Sequence, residues 1–200
     1  MDKKLTRRER DFKRHRSEIM DVAEKLFEEV DYHETTMDKI AERSEFSKGS
    51  LYNYFENKEI LFFEILNEKT EIFKKGITER INEAQTIESK LNALIEFHLD
   101  FFSKNIGFFK ITQREKYNLP SYTKKKIMNS LREKYFEHIA EICSIIKLDK
   151  QKTEEESILI ASAISGMLNG LITRNFLYEE KIEVERIKIF AKNKILKLLE

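Results

Sequence analysis

The chain has 200 residues, 40% of them hydrophobic, with one proline, five glycines and one cysteine. That is enough apolar material for one domain or two small ones, and too few turn formers for an all-β protein, so an all-α chain is expected. A net charge of +1 excludes a bulk polybasic binder, and any nucleic-acid contact must come from a local patch.

The first sixteen residues supply such a patch: Lys3, Lys4, Arg7, Arg8, Arg10, Lys13, Arg14 and Arg16 stand against Asp2, Glu9 and Asp11. They read as a disordered basic arm that follows a duplex backbone or enters the minor groove, or else as a solvated tail. The charged start lacks the apolar run of a secretory signal, and no stretch approaches a transmembrane span. A cytoplasmic protein without a membrane partner is therefore expected. The lone Cys143 forms no internal disulfide and reads as a small packing residue.

The first predicted helix covers 12–30, with Ile19, Val22, Ala23, Leu26, Phe27 and Val30 on one face. Next, Met37, Ile40 and Ala41 form the apolar edge of a short helix that Thr35 or Thr36 can cap. Glu45, Phe46 and Ser47 make a turn, and a second short helix from Lys48 to Phe55 turns Leu51 and Phe55 inward. Lys48, Ser50, Asn53 and Tyr54 are left outward or at the edges. Two short helices joined by a tight turn are the layout of a DNA-binding helix-turn-helix.

Thr35-Thr36 ahead of Ile40-Ala41, then Ser47-Lys48-Gly49-Ser50-Leu51-Tyr52, Tyr54-Phe55, Lys58-Glu59 and Leu61, resemble the N-terminal domain of the TetR/AcrR family of bacterial transcriptional regulators. The resemblance covers about the first third of the chain and rests on many positions in order and spacing. Beyond it, helical character and length fit. The family usually has glycine where this chain has Asp31, and a small residue followed by glycine where it has Ser44-Glu45. Aspartate tolerates a left-handed backbone moderately well and glutamate less so, which makes Glu45 the sharpest departure.

The resemblance implies a three-helix helix-turn-helix DNA-binding domain with its basic arm over 1–58, joined to a larger helical domain over 59–200 for effector binding and dimerisation. It also implies a dimeric regulator, most commonly a repressor, that binds a palindromic operator of double-stranded DNA and is released by a small hydrophobic effector. Thr36, Ser47, Tyr52, Tyr54 and Lys58 resemble the family's phosphate-contacting positions, although Tyr52 could instead pack with Leu51 and Phe55. Lys48, Ser50 and Asn53 are the candidates for base edges, because lysine suits guanine acceptors and asparagine suits adenine. Gly49 lets the helix start approach the duplex and turn its backbone N–H groups to phosphate.

Asn57 is the expected N-cap of a fourth helix carrying Ile60, Leu61, Phe63, Ile65, Leu66, Ile72 and Phe73, and further helices are predicted over 87–104, 107–117, 122–146, 153–178 and 183–199. From Ile158 to Thr173 the chain is apolar or small on every face, which predicts burial. Val184, Ile187, Phe190, Ala191, Ile195, Leu198 and Leu199 add a second stripe. A homodimer through these last two helices is expected, as the resemblance also implies.

Between Phe97 and Tyr178 the chain is rich in Phe and Tyr, a composition that lines apolar ligand pockets but also fills ordinary cores. The effector-binding candidates are Phe97, Phe101, Phe109, Tyr117, Tyr135, His138, Asn169 and Thr173, with His98, Arg114 and Arg174 as further polar candidates. His98 and His138 lack a carboxylate at metal-ligand spacing, so no metal site is expected. There is no glycine-rich phosphate loop, nucleophile elbow or histidine–carboxylate grouping, so neither an enzyme nor a cofactor is expected. The alternative is a DNA-binding regulator without an effector, controlled by a protein partner or by its own concentration.

Overall fold

The structure, a computed structural model, describes residues 6–107, 109–110, 121–177 and 181–199. Among them the chain is helical and holds no strand, as the composition predicts. The helices are α1 (Arg7–Val30), α2 (Met37–Arg43), α3 (Lys48–Tyr52), α4 (Lys58–Glu83), α5 (Ile87–Lys104), α6 (Ser121–Ile146), α7 (Glu154–Leu177) and α8 (Val184–Leu196). The helix expected over 107–117 lies largely outside the described residues. Two compact units result: Met1–Glu68 with Lys110–Ile127, and Lys69–Phe109 with Met128–Glu200.

In the first unit α1 starts earlier than the apolar stripe suggested, so the basic stretch expected as a disordered arm is helix from Arg7 onward. The cause is a capping box. Glu9 N donates to Thr6 Oγ1 at 3.3 Å and Thr6 N to Glu9 Oε2 at 2.7 Å, satisfying two otherwise orphan amides. Ile19, Ala23, Leu26 and Phe27 of α1 are buried with Ile40 and Ala41 of α2, Leu51 of α3, Phe55, and Leu61, Phe62 and Ile65 of α4. Taking one such large side chain out of water is worth about 2 kcal/mol. The rings of Phe27, Tyr32 and Phe62 meet at 5.1–5.7 Å.

Thr36, not Thr35, caps α2, accepting from Lys39 N at 3.2 Å. Thr35 is wholly buried, and its hydroxyl donates to the carbonyl of Asp31 at 2.6 Å. After α2 the chain makes a Schellman turn: Phe46 N donates to Ala41 O at 3.0 Å and Glu45 N to Glu42 O at 3.2 Å. That motif places Glu45 at the left-handed position, with φ 60°, while Asp31 after α1 has φ 91°. Both are the positions where the resemblance expected glycine. A left-handed non-glycine residue costs about 1–2 kcal/mol, and glycine returns part of this as unfolded-chain entropy. Glu45→Gly is therefore expected to stabilise the protein by about 0.5–1 kcal/mol and raise the melting midpoint by about 2–3 °C in a thermal scan.

Helix α3 is shorter than the expected span to Phe55. At Asn53 and Tyr54 the amides reach back three residues instead of four, Asn53 N to Ser50 O at 3.1 Å and Tyr54 N to Leu51 O at 3.0 Å, which tightens the last turn. Asn57 caps α4 as expected, its side chain accepting from Ile60 N at 2.8 Å.

In the second unit Leu91, Leu94, Ile95 and Leu99 of α5 share a core with Ile142, Cys143 and Ile146 of α6, Ala161, Ile164 and Leu168 of α7, and Ile187, Ala191 and Ile195 of α8. Cys143 is a buried packing residue there. Lys188 joins α8 to α5 through Asp100 and also pairs with Glu185, each at 2.6 Å. By length and composition 154–175 could cross a membrane, contrary to the expectation that no stretch approaches a span, but its Ala161–Ile164–Leu168 face is packed as a core helix. Its other face departs from the expected all-round burial. Leu159 is 63% exposed and Ile158 46%, and no atom outside the helix's own backbone lies within 4 Å of where a side chain would start at Gly166 or Gly170.

Candidate nucleic-acid interface and ligand cleft

Six of the nine predicted DNA-contacting residues, Thr36, Ser47, Lys48, Gly49, Tyr52 and Asn53, are exposed on α2, α3 and their caps. Ser47 caps α3, accepting from Ser50 N at 3.1 Å, and the two hydroxyls are 2.7 Å apart. Ser50 is half-buried. Tyr52 is 45% exposed and so lies outside the core that holds Leu51 and Phe55. Gly49 has open space where a side chain would stand. Lys48 Nζ sits 2.8 and 2.9 Å from the two carboxylate oxygens of Asp38 at the start of α2, and this hydrogen-bonded pairing raises the lysine's pKa. The pair is fully accessible to solvent, where such a contact is worth little and exchanges readily for a phosphate.

Tyr54 and Lys58 are turned differently. The Tyr54 hydroxyl hydrogen-bonds Nδ1 of His15 at 3.1 Å, and its ring packs 4.7 Å from that of Phe12, both on α1. Lys58 Nζ donates to the carbonyls of Tyr32 at 2.7 Å and Thr35 at 2.8 Å and sits 4.3 Å from the Tyr32 ring centroid. It thereby holds the loop that ends in the Thr36 cap. His15 escaped the sequence reading because nothing local marks it: its partner is 39 residues away.

In the second unit the structure brings several ligand candidates together around a residue that was not among them. Phe73 of α4 lies 5.1–5.9 Å from the rings of Phe97, Phe101, Phe102, His98 and His138. Phe109 joins through Phe102 at 5.0 Å. The signal that could have found Phe73 is Gly76, one turn on. A Cβ there would fall 2.2 Å from the Phe97 ring, so only glycine leaves room for that ring against α4. Asn169 lies beside His98, and Thr173 is half-buried one turn further along α7. Tyr135 stands apart, exposed beside Phe136. Tyr117 and Arg114 lie outside the described residues.

A cleft of about 310 Å³ opens over this cluster, with Phe73, His138 and Ala140 in its wall. Lys74, Lys134, Glu137 and Glu141 form its charged lining, with Lys74 paired to Glu137 at 3.1 Å and Lys134 to Glu71. Burial pushes the Glu141 carboxyl up. Burial also lowers His138 to about 4 and holds His98 well below the ordinary imidazole range, with His138 adding to the effect. Both rings are therefore neutral at pH 7. Among the described residues no group of three or more His, Cys, Asp or Glu is arranged to hold a metal ion.

An exposed helix-turn-helix surface on one unit and a cleft beside an aromatic cluster in a second helical unit fit a DNA-binding regulator class. Residues 19–65 match the bacterial regulatory proteins of the tetR family, and residues 66–199 match the YsiA-like protein, C-terminal region. The chain is 30% identical over 183 residues to the HTH-type transcriptional regulator QacR of Staphylococcus aureus, a match covering 88% of this chain and 93% of that one. FadR from Bacillus subtilis, solved in complex with stearoyl-CoA, is similar in fold, with a TM-score of 0.73 at 24% identity over 92% of this chain and 96% of that chain. AibR, solved in complex with isovaleryl coenzyme A and operator DNA, gives a TM-score of 0.67 at 17% identity over 90% and 97%. This chain belongs to the TetR family and is a DNA-binding transcriptional regulator.

Proposed function

We propose that the protein is a homodimeric repressor that reads a palindromic operator through α2 and α3 and releases it when an acyl-coenzyme A enters the cleft of the second unit. The observation that carries the DNA half is the shared exposure of Thr36, Ser47, Lys48, Gly49, Tyr52 and Asn53. In this reading Lys48, Ser50 and Asn53 meet base edges, and Thr36, Ser47, Tyr52 and Tyr54 meet phosphates. Lys58 acts by holding the Thr36 loop. DNA reading is assigned to 1–58, effector binding and dimerisation to 59–200.

Dimerisation is supported by the apolar surface that a single chain leaves open: Ile158 and Leu159 on α7, and Ile189, Phe190 and Leu198 on or just beyond α8. Exposed large apolar side chains gathered on two helices suit an association face, and the small residues Gly166 and Gly170 let a second helix come close. Two-fold symmetry would then set two α3 helices into successive major grooves roughly 34–36 Å apart. The acyl-coenzyme A assignment is supported by the Phe73–His138 contact in the cleft wall and by the ligands that FadR and AibR carry in their complexes.

Release requires the ligand to favour the non-binding arrangement, and a hundredfold loss of DNA affinity needs about 2.7 kcal/mol of coupling. Titrating acetyl-, octanoyl- and stearoyl-coenzyme A into the protein on fluorescent operator tests this. Loss of anisotropy with at least one is expected, and retention of the complex with all three contradicts the proposal.

A further inference from the structure

Four ring nitrogens are buried in the second unit without a hydrogen-bond partner: Nδ1 and Nε2 of His98 and of His138. His98, on α5, is 1% exposed. The two rings are tilted neighbours, 5.3 Å apart between centroids and inclined by 37°. Around them stand Phe73, 5.2 Å from His98 and 5.5 Å from His138, and Phe102, 4.9 Å from His98. The Asn169 side chain is a polar neighbour of His98 and works against the burial that lowers that ring's pKa. His138 also lines the cleft.

Buried polar atoms are almost always partnered, because leaving one unmade forfeits its hydration for nothing. A neutral imidazole carries one N–H donor and one bare nitrogen, so the pair can present two donors to a single oxygen placed between the rings. A carbonyl oxygen has two lone pairs to receive them.

We propose that His98 and His138 form the polar recognition point of the effector cleft, donating two hydrogen bonds to the carbonyl oxygen of an acyl thioester whose apolar chain starts against Phe73. This rests on the acyl-coenzyme A reading above. The neutral state of both rings fits a neutral thioester, whereas a free carboxylate would bring an uncompensated charge among phenyl rings. Lys74, Lys134, Glu137 and Glu141, the charged lining of the cleft, balance one another in sign and supply no net field for such an anion.

The test is isothermal titration of the full chain with octanoyl-coenzyme A, with S-octyl-coenzyme A, which is a thioether lacking only the carbonyl oxygen, and with octanoate. Wild type is expected to bind the thioester at least about tenfold more tightly than either of the others. In His98→Phe/His138→Phe the thioester and thioether are expected to bind alike, with a melting midpoint no lower than wild type, an outcome that a purely structural role for the pair would not give. Equal binding of thioester and thioether by wild type overturns the inference while leaving the acyl-coenzyme A reading in place, and it needs no variant to fold. Preference for octanoate overturns it in favour of a free acid. Failure of both coenzyme A compounds to bind removes the reading and the inference with it.

Discussion

Gly49→Glu is expected to abolish operator binding, weakening it by at least about 100-fold, or about 2.7 kcal/mol, while leaving the melting temperature within about 1 °C of wild type. The two halves of that expectation have separate causes. Among the described residues no atom beyond the adjoining residues and the helix's own backbone lies within 4 Å of where the new side chain would begin, and the position is exposed. Glutamate is also a better helix former than glycine by up to about 1 kcal/mol, so the fold has no reason to object. In the proposed complex with DNA the same space would be the gap through which α3 approaches the groove. A side chain there would stand the backbone off, and its carboxylate would face the phosphates. Gly49→Ala adds bulk without charge and should fall between the two. Electrophoretic mobility shifts read the binding and a thermal scan reads the fold. Undiminished binding by Gly49→Glu would place α3 outside the groove.

Acid is expected to destabilise the protein before its carboxylates titrate. His138 has a folded pKa of about 4 against an ordinary 6.5, and His98 is shifted in the same direction. Between those values the unfolded chain binds more protons than the folded one, so stability rises with pH across that window. The contribution is fully present above pH 6.5 and is lost as pH falls toward 4. For His138 alone it amounts to about 3 kcal/mol, a fall of roughly 6–12 °C in melting midpoint for a chain of this size. Glu141 acts in the opposite sense. Its raised pKa makes the folded state the better proton binder near and above its ordinary value, which blunts the slope without reversing it. Thermal scans from pH 7.5 to pH 4 should therefore show a decline that His98→Phe/His138→Phe flattens. An equal decline in that variant would assign the acid sensitivity elsewhere.

Elements whose cause is local were readable before the structure. The apolar spacing of α1, the Asn57 cap, the limits of α5 and the two positive-φ positions all follow from neighbours a few residues apart. The shared exposure of Ser47, Lys48, Gly49, Tyr52 and Asn53 was readable for the same reason, since side chains on one short helix share a face by periodicity alone. What failed depends on contacts between distant segments. Lys58 reads as a surface cation until Tyr32 and Thr35, more than twenty residues earlier, present their carbonyls to it. Phe73 reads as one more core aromatic of α4 until Gly76 admits the Phe97 ring beside it. The apolar run of α7 was readable as a helix that avoids water and leaves part of its surface to a second copy, but hydropathy does not say which face the chain itself covers, and that proved to be the Ala161–Ile164–Leu168 face.

The most direct test of the account is selection of bound DNA from a random pool at moderate salt, with wild type and with Lys48→Ala/Asn53→Ala in parallel, followed by sequencing. A two-fold symmetric motif that wild type enriches and the variant blurs or loses is the predicted result. It would establish in one experiment both the dimer and the side chains that read the sequence. An enriched motif without symmetry, or one that survives both substitutions unchanged, would contradict the account.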